Sequence, residues 1–115
     1  MEFLNRIELR GIVGSVKVMN FEGKRVINVH LATSRAYKGQ EGDGIIETTW
    51  HNVTAWEGRN ICDFSLIEKG SKLHVMGRIR SQKYTGSDGI DRTAIDVMAT
   101  RITIIDSDEP LAYEP

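Results

Sequence analysis

The sequence predicts an all-β fold, a closed barrel of five strands with one short helix between the third and fourth. Three observations carry that expectation. Apolar residues recur at every second position, as in Ile7, Leu9, Gly11, Val13 and in Ile27, Val29, Leu31, the period of strands with one buried face. Gly- and Asp-rich stretches separate these runs. One segment, 58–67, changes to helical spacing, with Ile61 and Phe64 three apart and Cys62 and Leu66 four apart.

The strands are expected at about 5–19, 24–34, 46–56, 71–84 and 91–105. Phe21-Glu22-Gly23-Lys24 is short enough to join the first two as a hairpin. Lys38 to Gly44 (KGQEGDG) and Thr85 to Gly89 (TGSDG) have loop composition. In the fourth strand Leu73, Val75, Gly77 and Ile79 form the apolar face; in the fifth, Ile95 and Val97 alternate with Asp96 and Met98 before Ile102, Ile104 and Ile105. Lys69-Gly70 would stop the helix. Gly11, Gly14 and Gly77 fall inside strands, where a small barrel needs sharp bends. Five strands with a helix after the third is the element order of the OB-fold barrel.

At 115 residues, 40% hydrophobic and 27% charged, the chain has the size and composition of one soluble domain. The division expected is a barrel domain over 1–105 and a short acidic tail over 106–115. No apolar run approaches the roughly 20 residues of a membrane helix. The start, MEFLNRIELRG, lacks a signal peptide's basic and apolar regions. A single cysteine, Cys62, excludes an internal disulfide and a four-thiolate zinc site. These features predict a reduced, cytoplasmic protein. The formal charge of −1 conceals a division. Asp106, Asp108, Glu109 and Glu114 make the last ten residues purely acidic, and the remainder, with 15 basic against 12 acidic residues, is net +3. A basic body is a weak pointer to a polyanion.

The aromatic residues sharpen it. In Trp50-His51-Asn52-Val53-Thr54-Ala55-Trp56 the two tryptophans share a face with Asn52 and Thr54, opposite Val53 and Ala55. A core face reads like Val-Ala, not Trp-Asn-Thr-Trp, so both rings belong on a partly solvated face. The fourth strand repeats the pattern: Arg78, Arg80, Gln82 and Tyr84 share a face opposite Val75 and Ile79. Arg35, Tyr37 and Lys38 stand where the second strand enters its loop. Rings interleaved with Arg and Lys suit single-stranded nucleic acid, because rings stack on unpaired bases while cations follow the phosphates. The competing reading of such a patch is a protein interface.

Catalysis has no support. His30, His51 and His74 lack the spacing of a metal motif such as HExxH. Cys62 lies among apolar positions and reads as a structural thiol. The carboxylates are scattered, and Asp88 and Asp91 flank a hairpin. No cofactor or metal is implied.

In order along the chain stand Asn5-Arg6-Ile7 with Gly11 and Gly14, then Leu31-Ala32-Thr33-Ser34, Thr49-Trp50-His51-Asn52-Val53, Lys69-Gly70-Ser71, Gly77-Arg78-Ile79-Arg80, and Tyr84-Thr85 leading to Gly89 and Arg92. With these segments, from Asn5 to Ile105, the sequence resembles the bacterial single-stranded DNA-binding protein family. The resemblance implies an OB-fold homotetramer that binds and protects single-stranded DNA, with little sequence preference, in replication, recombination and repair. It places the family's stacking rings on Tyr37, Trp50, Trp56 and Tyr84, and a position associated with subunit contacts on His51. His51 reads equally well as a strand histidine with a local hydrogen-bond partner. Arg35, Lys38, Lys69, Arg78, Arg80 and Lys83 are the cations expected to meet phosphate.

The ending departs from the family. A long Gly-, Pro- and Gln-rich linker with an acidic, aromatic tip that recruits replication and repair proteins is usual there. Here DSDEPLAYEP is acidic and contains Tyr113, without the linker. A trimmed chain and a short family member of the kind mobile elements carry both fit this ending, and recruitment through a tip lacks its usual residues. Two other readings stand beside the first. One is a primosomal replication protein N-like accessory factor, a dimer with fewer stacking rings. The other is an OB domain that binds only protein.

Overall fold

The alternating runs become five long strands, β1 (Ile7–Phe21), β2 (Lys24–Lys38), β3 (Gly44–Trp56), β4 (Lys72–Thr85) and β5 (Asp91–Ile104). They appear in a computed structural model that describes residues 1–106 and 111–114. Of the expected acidic tail, 107–110 and 115, including Asp108 and Glu109, lie outside the described residues.

The strands close in the order β1-β2-β3-β5-β4, with β4 returning to β1. All pairings are antiparallel except β3 with β5, which is parallel and rests on two residue pairs, Val53↔Val97 and Thr54↔Met98. β1 serves both neighbours in succession: Ile7 to Ile12 pair with β4, and Ile12 to Phe21 with β2. Because β1 leaves β2 at Ala32, the stretch of β2 beyond it pairs with β3 alone and projects as an arm ending at Lys38 and Gly44. β2 is therefore longer than the expected 24–34, since β3 keeps pairing with it after the barrel has ended. β4 and β5 form a second arm, paired to Thr85↔Asp91.

The core is the inward set that alternation marks: Val13, Ile27, Val29, Leu31, Val53, Leu73 and Val75 are essentially inaccessible. Ile79 and Ile95 break the pattern. Both fall on the inward parity of β4 and β5, yet they are 47% and 68% exposed. At that height the hairpin has left the barrel, and no opposite wall remains to cover an inward side chain.

The helix expected within 58–67 is one 3-10 turn, Phe64–Leu66, capped by Asp63 accepting from the Ser65 amide. Sheet pairing takes the residues before it: Ile61 bridges Ile102, and the Cys62 amide donates to the Ile102 carbonyl. The turn that follows closes by i to i+3 bonds, the Leu66 amide donating to the Asp63 carbonyl and the Ile67 amide to the Phe64 carbonyl. Phe64 and Ile67 still plug the barrel, at 4% and 5% exposure, while Leu66 faces solvent.

Both breaks in register involve glycine. At Gly14 the pairing of β1 jumps from Val13↔Leu31 to Ser15↔His30, a one-residue bulge. At Gly77, β5 carries the extra residue, Thr100, and a Cβ would run into the Met98 carbonyl. The β1–β2 turn has Glu22 at φ 52° and Gly23 at φ 81°, the two positive angles of a type I′ hairpin. Asp88 and Asp91 shape the β4–β5 turn, Asp88 accepting from the Ile90 amide and Asp91 from the Thr85 hydroxyl. Glu114 lies against the free edge of β2: its amide donates to Ser34 and its carbonyl accepts from Ala36.

Candidate nucleic-acid interface

Strand parity puts Trp50, Asn52, Thr54 and Trp56 on the outside of β3, with Val53 and Ala55 fully buried behind them. Trp50 is 60% exposed and Trp56 39%. Six residues of strand separate the rings by about 20 Å. Trp50 lies across the sheet, where its cross-strand partner is Ala32 and its ring covers Gly14. A Cβ at Gly14 would sit 2.6 Å from the indole Cη2. The bulge at Gly14 thus provides the bare backbone on which the ring rests.

A polar chain runs between the tryptophans and around the barrel. Asn28 Nδ2 donates to Asn52 Oδ1 at 2.7 Å and to Thr54 Oγ1 at 3.4 Å. The Thr54 hydroxyl donates to Asp96 Oδ2 at 3.0 Å. Arg80 grips Asp96 with two bonds, Nε to Oδ1 at 3.1 Å and a terminal nitrogen to Oδ2 at 2.8 Å. This guanidinium holds the Asp96 carboxyl below the usual carboxylate range, with the Thr54 bond assisting and burial opposing. Arg80 is therefore the counter-ion of a mostly buried carboxylate and departs from the expected phosphate-binding role; the cross-strand pairing of Arg80 with Asp96 is the reason. Arg78, two residues earlier on the same face, is exposed.

Tyr84, at 49% exposure, continues that face along the β4–β5 arm. Where β3 and β5 diverge, Trp50, Asn52, Ile79, Ile95 and Asp96 line a cleft of about 180 Å³. Lys69 does not line this cleft; its neighbour Gly70 donates its amide to the Val13 carbonyl, next to the bulge under Trp50.

Of the other expected residues, Tyr37, Arg35, Lys83 and His51 are apart from this face. Tyr37 and Arg35 have the parity of Leu31, opposite to Trp50 on the β2–β3 arm. They meet each other, with the Arg35 guanidinium 5.0 Å from the Tyr37 ring centroid, a cation–π contact. Lys38 has the Trp50 parity, and Lys83 is opposite Tyr84 on its own arm. His51 turns inward with Leu31, and its Nε2 lies 2.8 Å from the Thr33 hydroxyl. Partial burial lowers its pKa.

Sequence reasoning missed two parts of this surface. Asp96 reads as an ordinary outward strand residue until the β4–β5 register is known. Phe21 reads as a turn residue, yet its ring is 6.2 Å from Trp56 in an edge-on contact. An exposed aromatic just before a Glu-Gly turn was the available signal. Among the described residues, no group of three or more His, Cys, Asp or Glu is arranged to hold a metal ion, and no helix is long and apolar enough to cross a membrane.

Comparison with known proteins agrees with this geometry. The Single-strand binding protein family matches residues 4–105. A single-stranded DNA-binding protein of Neisseria meningitidis is 33% identical over 104 residues, covering 89% of this chain and 60% of the relative. The mitochondrial single-stranded DNA-binding protein of Oryctolagus cuniculus is 30% identical over 111 residues, covering 89% and 75%. The chain thus spans about three-fifths of the length of the bacterial relative. Among solved structures, a Plasmodium falciparum SSB in complex with ssDNA superposes with a TM-score of 0.73 at 19% identity, over 92% of this chain and 98% of that one. A deletion mutant of the Thermus aquaticus single-stranded DNA-binding protein gives 0.75 at 23% identity, over 91% and 52%. The barrel, its two arms and the match across nearly the whole length place this chain in the single-strand binding protein family.

Proposed function

We propose that this chain is a non-catalytic binder of single-stranded DNA that coats and protects the unpaired strand during replication, recombination and repair. The observation that carries the proposal is the outward Trp50-Asn52-Thr54-Trp56 face of β3, with a 60% exposed indole at its centre. A ring of that size left in water on a well-formed barrel is available for stacking. Bases stack on Trp50, Trp56 and Tyr84, and on Tyr37 as the strand passes to the other face of the β2–β3 arm. Arg78, Lys69, Lys38, Lys83 and Arg35 meet phosphates, while Arg80 keeps Asp96 and the sheet beneath in place. Stacking needs only a flat base, so sequence preference is slight. Duplex melts passively, because a ligand that prefers the unpaired state shifts the equilibrium toward it. No metal or nucleotide takes part.

The reading includes a cytoplasmic homotetramer with His51 near a subunit contact. Light scattering on the purified protein tests the assembly: a dimer would favour the accessory-factor reading over the tetrameric coat. Tryptophan fluorescence during titration with oligo-dT, against duplex of equal length and at two salt concentrations, tests the binding. Quenching by oligo-dT and not by duplex is the expected result. Absence of both quenching and binding would assign the aromatic face to a protein partner.

A further inference from the structure

Beside Trp56, at the β1–β2 turn, a cleft opens past the stacking set named above. It has a volume of about 500 Å³ and is lined by Phe21, Glu22, Lys24, Trp56 and Glu57, within the roughly 300–1,000 Å³ usual for ligand clefts. Phe21 is 59% exposed, more than Trp56. The Phe21 and Trp56 planes meet at 68°, so one flat base can stack on only one of them and the pair offers two separate stacking faces. Beneath them Val26, on the outer parity of β2 and flanked by Met19 and Trp56 on the adjoining strands, is only 8% exposed. The type I′ turn fixes Phe21 opposite Lys24.

The charges suit an anionic strand better than the count of carboxylates suggests. Glu57 is committed to Arg25, which donates from Nε to Oε2 at 2.9 Å and from its backbone amide to Oε1 at 3.2 Å. Arg25 also lies 5.4 Å from the Phe64 ring centroid, so it is part of the scaffold. Glu22 is at the exposed tip of the turn. Lys24 has no ion-pair partner among the described residues and is the cation beside the rings.

We propose that this cleft is a further base-binding subsite: the single strand that stacks on Trp56 continues over the β1–β2 turn, an unpaired base stacks on Phe21, and Lys24 meets the adjoining phosphate. The inference rests on the strand-binding reading and extends it by a residue from a strand that reading does not use.

The test compares Phe21→Ala, Phe21→Leu and Phe21→Tyr with Trp50→Ala, titrating each with long oligo-dT, and adds photocrosslinking of the parent protein to 5-iodouracil-substituted oligo-dT. Phe21→Ala and Phe21→Leu should weaken binding by about 5- to 150-fold, the range for one lost stack. Phe21→Tyr, which keeps the ring, should bind like the parent. The crosslinked peptides should include the one carrying Phe21. Parent-like binding by Phe21→Ala while Trp50→Ala binds weakly would overturn the subsite and leave the strand-binding reading intact. Weakened Phe21→Ala without a crosslink at Phe21 would also overturn it, because Phe21 would then act only by propping Trp56. Parent-like binding by Trp50→Ala and Phe21→Ala together would remove the reading on which the subsite rests.

Discussion

Arg78 and Arg80 look interchangeable in the sequence, and the structure predicts opposite consequences for removing them. Arg80 makes two charge-assisted bonds to Asp96, with side-chain exposures of 28% and 11%. Hydrogen bonds to charged groups contribute roughly 1.5–3 kcal/mol. Arg80→Ala leaves the Asp96 carboxylate with the Thr54 hydroxyl as its side-chain partner among the described residues, so a stability loss of about that size is expected. With a urea slope of roughly 1–3 kcal/mol/M for small proteins, the midpoint should fall by about 1 M. Protein concentration is held constant, since assembly of the proposed kind would add to apparent stability. Arg78 is exposed, and Arg78→Ala should barely move that midpoint. For strand binding the order reverses. Each phosphate contact on a single strand adds about 0.7 to the slope of log affinity against log salt. Losing the Arg78 contact should lower the slope by about that amount, and the penalty for a fourfold rise in salt by about 2.6-fold. Oligo-dT titrations at four or five salt concentrations measure the slope. A slope unchanged by Arg78→Ala but reduced by Arg80→Ala, with the urea midpoint unmoved in both, would refute the assignment of the two guanidinium groups.

Other perturbations test the remaining links. Gly14→Ala puts a methyl into the Trp50 ring. Because the ring is largely exposed it can swing aside, so folding should lose no more than about 1 kcal/mol while binding loses roughly 1–3 kcal/mol; parent-like affinity with unchanged Trp emission would show that the ring does not depend on the bulge. Trp50→Ala should cost about 1–3 kcal/mol of binding with circular dichroism unchanged. Ile27→Ala, at a fully buried position, should destabilise by about 2–5 kcal/mol in urea unfolding. The pH dependence has a definite sign. Asp96 has a lowered folded-state pKa, so its contribution is complete above the ordinary value of about 3.9 and disappears as pH falls through the folded value. Acid unfolding should therefore begin below about pH 4, and Asp96→Asn should be weaker at neutral pH yet lose less on acidification.

What could be read from the sequence was whatever depends on neighbours along one strand. Parity alone separated Trp50 and Trp56 from Val53 and Ala55, and the inward set Ile27, Val29, Leu31 follows from the same period. What could not be read depends on where strands stop touching a third element. Ile79 and Ile95 have inward parity, but the barrel ends before them, and no local signal marks its rim. Tyr37 was grouped with Trp50 by composition, while its parity, odd where Trp50's cross-strand partner Ala32 is even, puts it on the other face. The Arg80–Asp96 pair spans 16 residues and requires the register of β4 with β5. Within 58–67, helical spacing competed with pairing to Ile102, and the sheet prevailed because it satisfies the Cys62 amide.

The parallel seam between β3 and β5 bears on how the molecule is made. It is the narrowest join in the circle, with two residue pairs against thirteen between β2 and β3. The β2–β3 and β4–β5 hairpins join residues near in sequence, whereas the seam must bring Val53 to Val97, and distant pairings bear the larger loop-closure entropy. Folding should then proceed through two preformed halves that dock, with the seam among the last contacts to form. Conservative changes at Thr54 or Val97 should chiefly speed unfolding, while those in the β2–β3 hairpin slow refolding. On the native side the same narrowness makes the seam a place for the wall to part briefly, and backbone amides there should exchange with solvent well before those of β2.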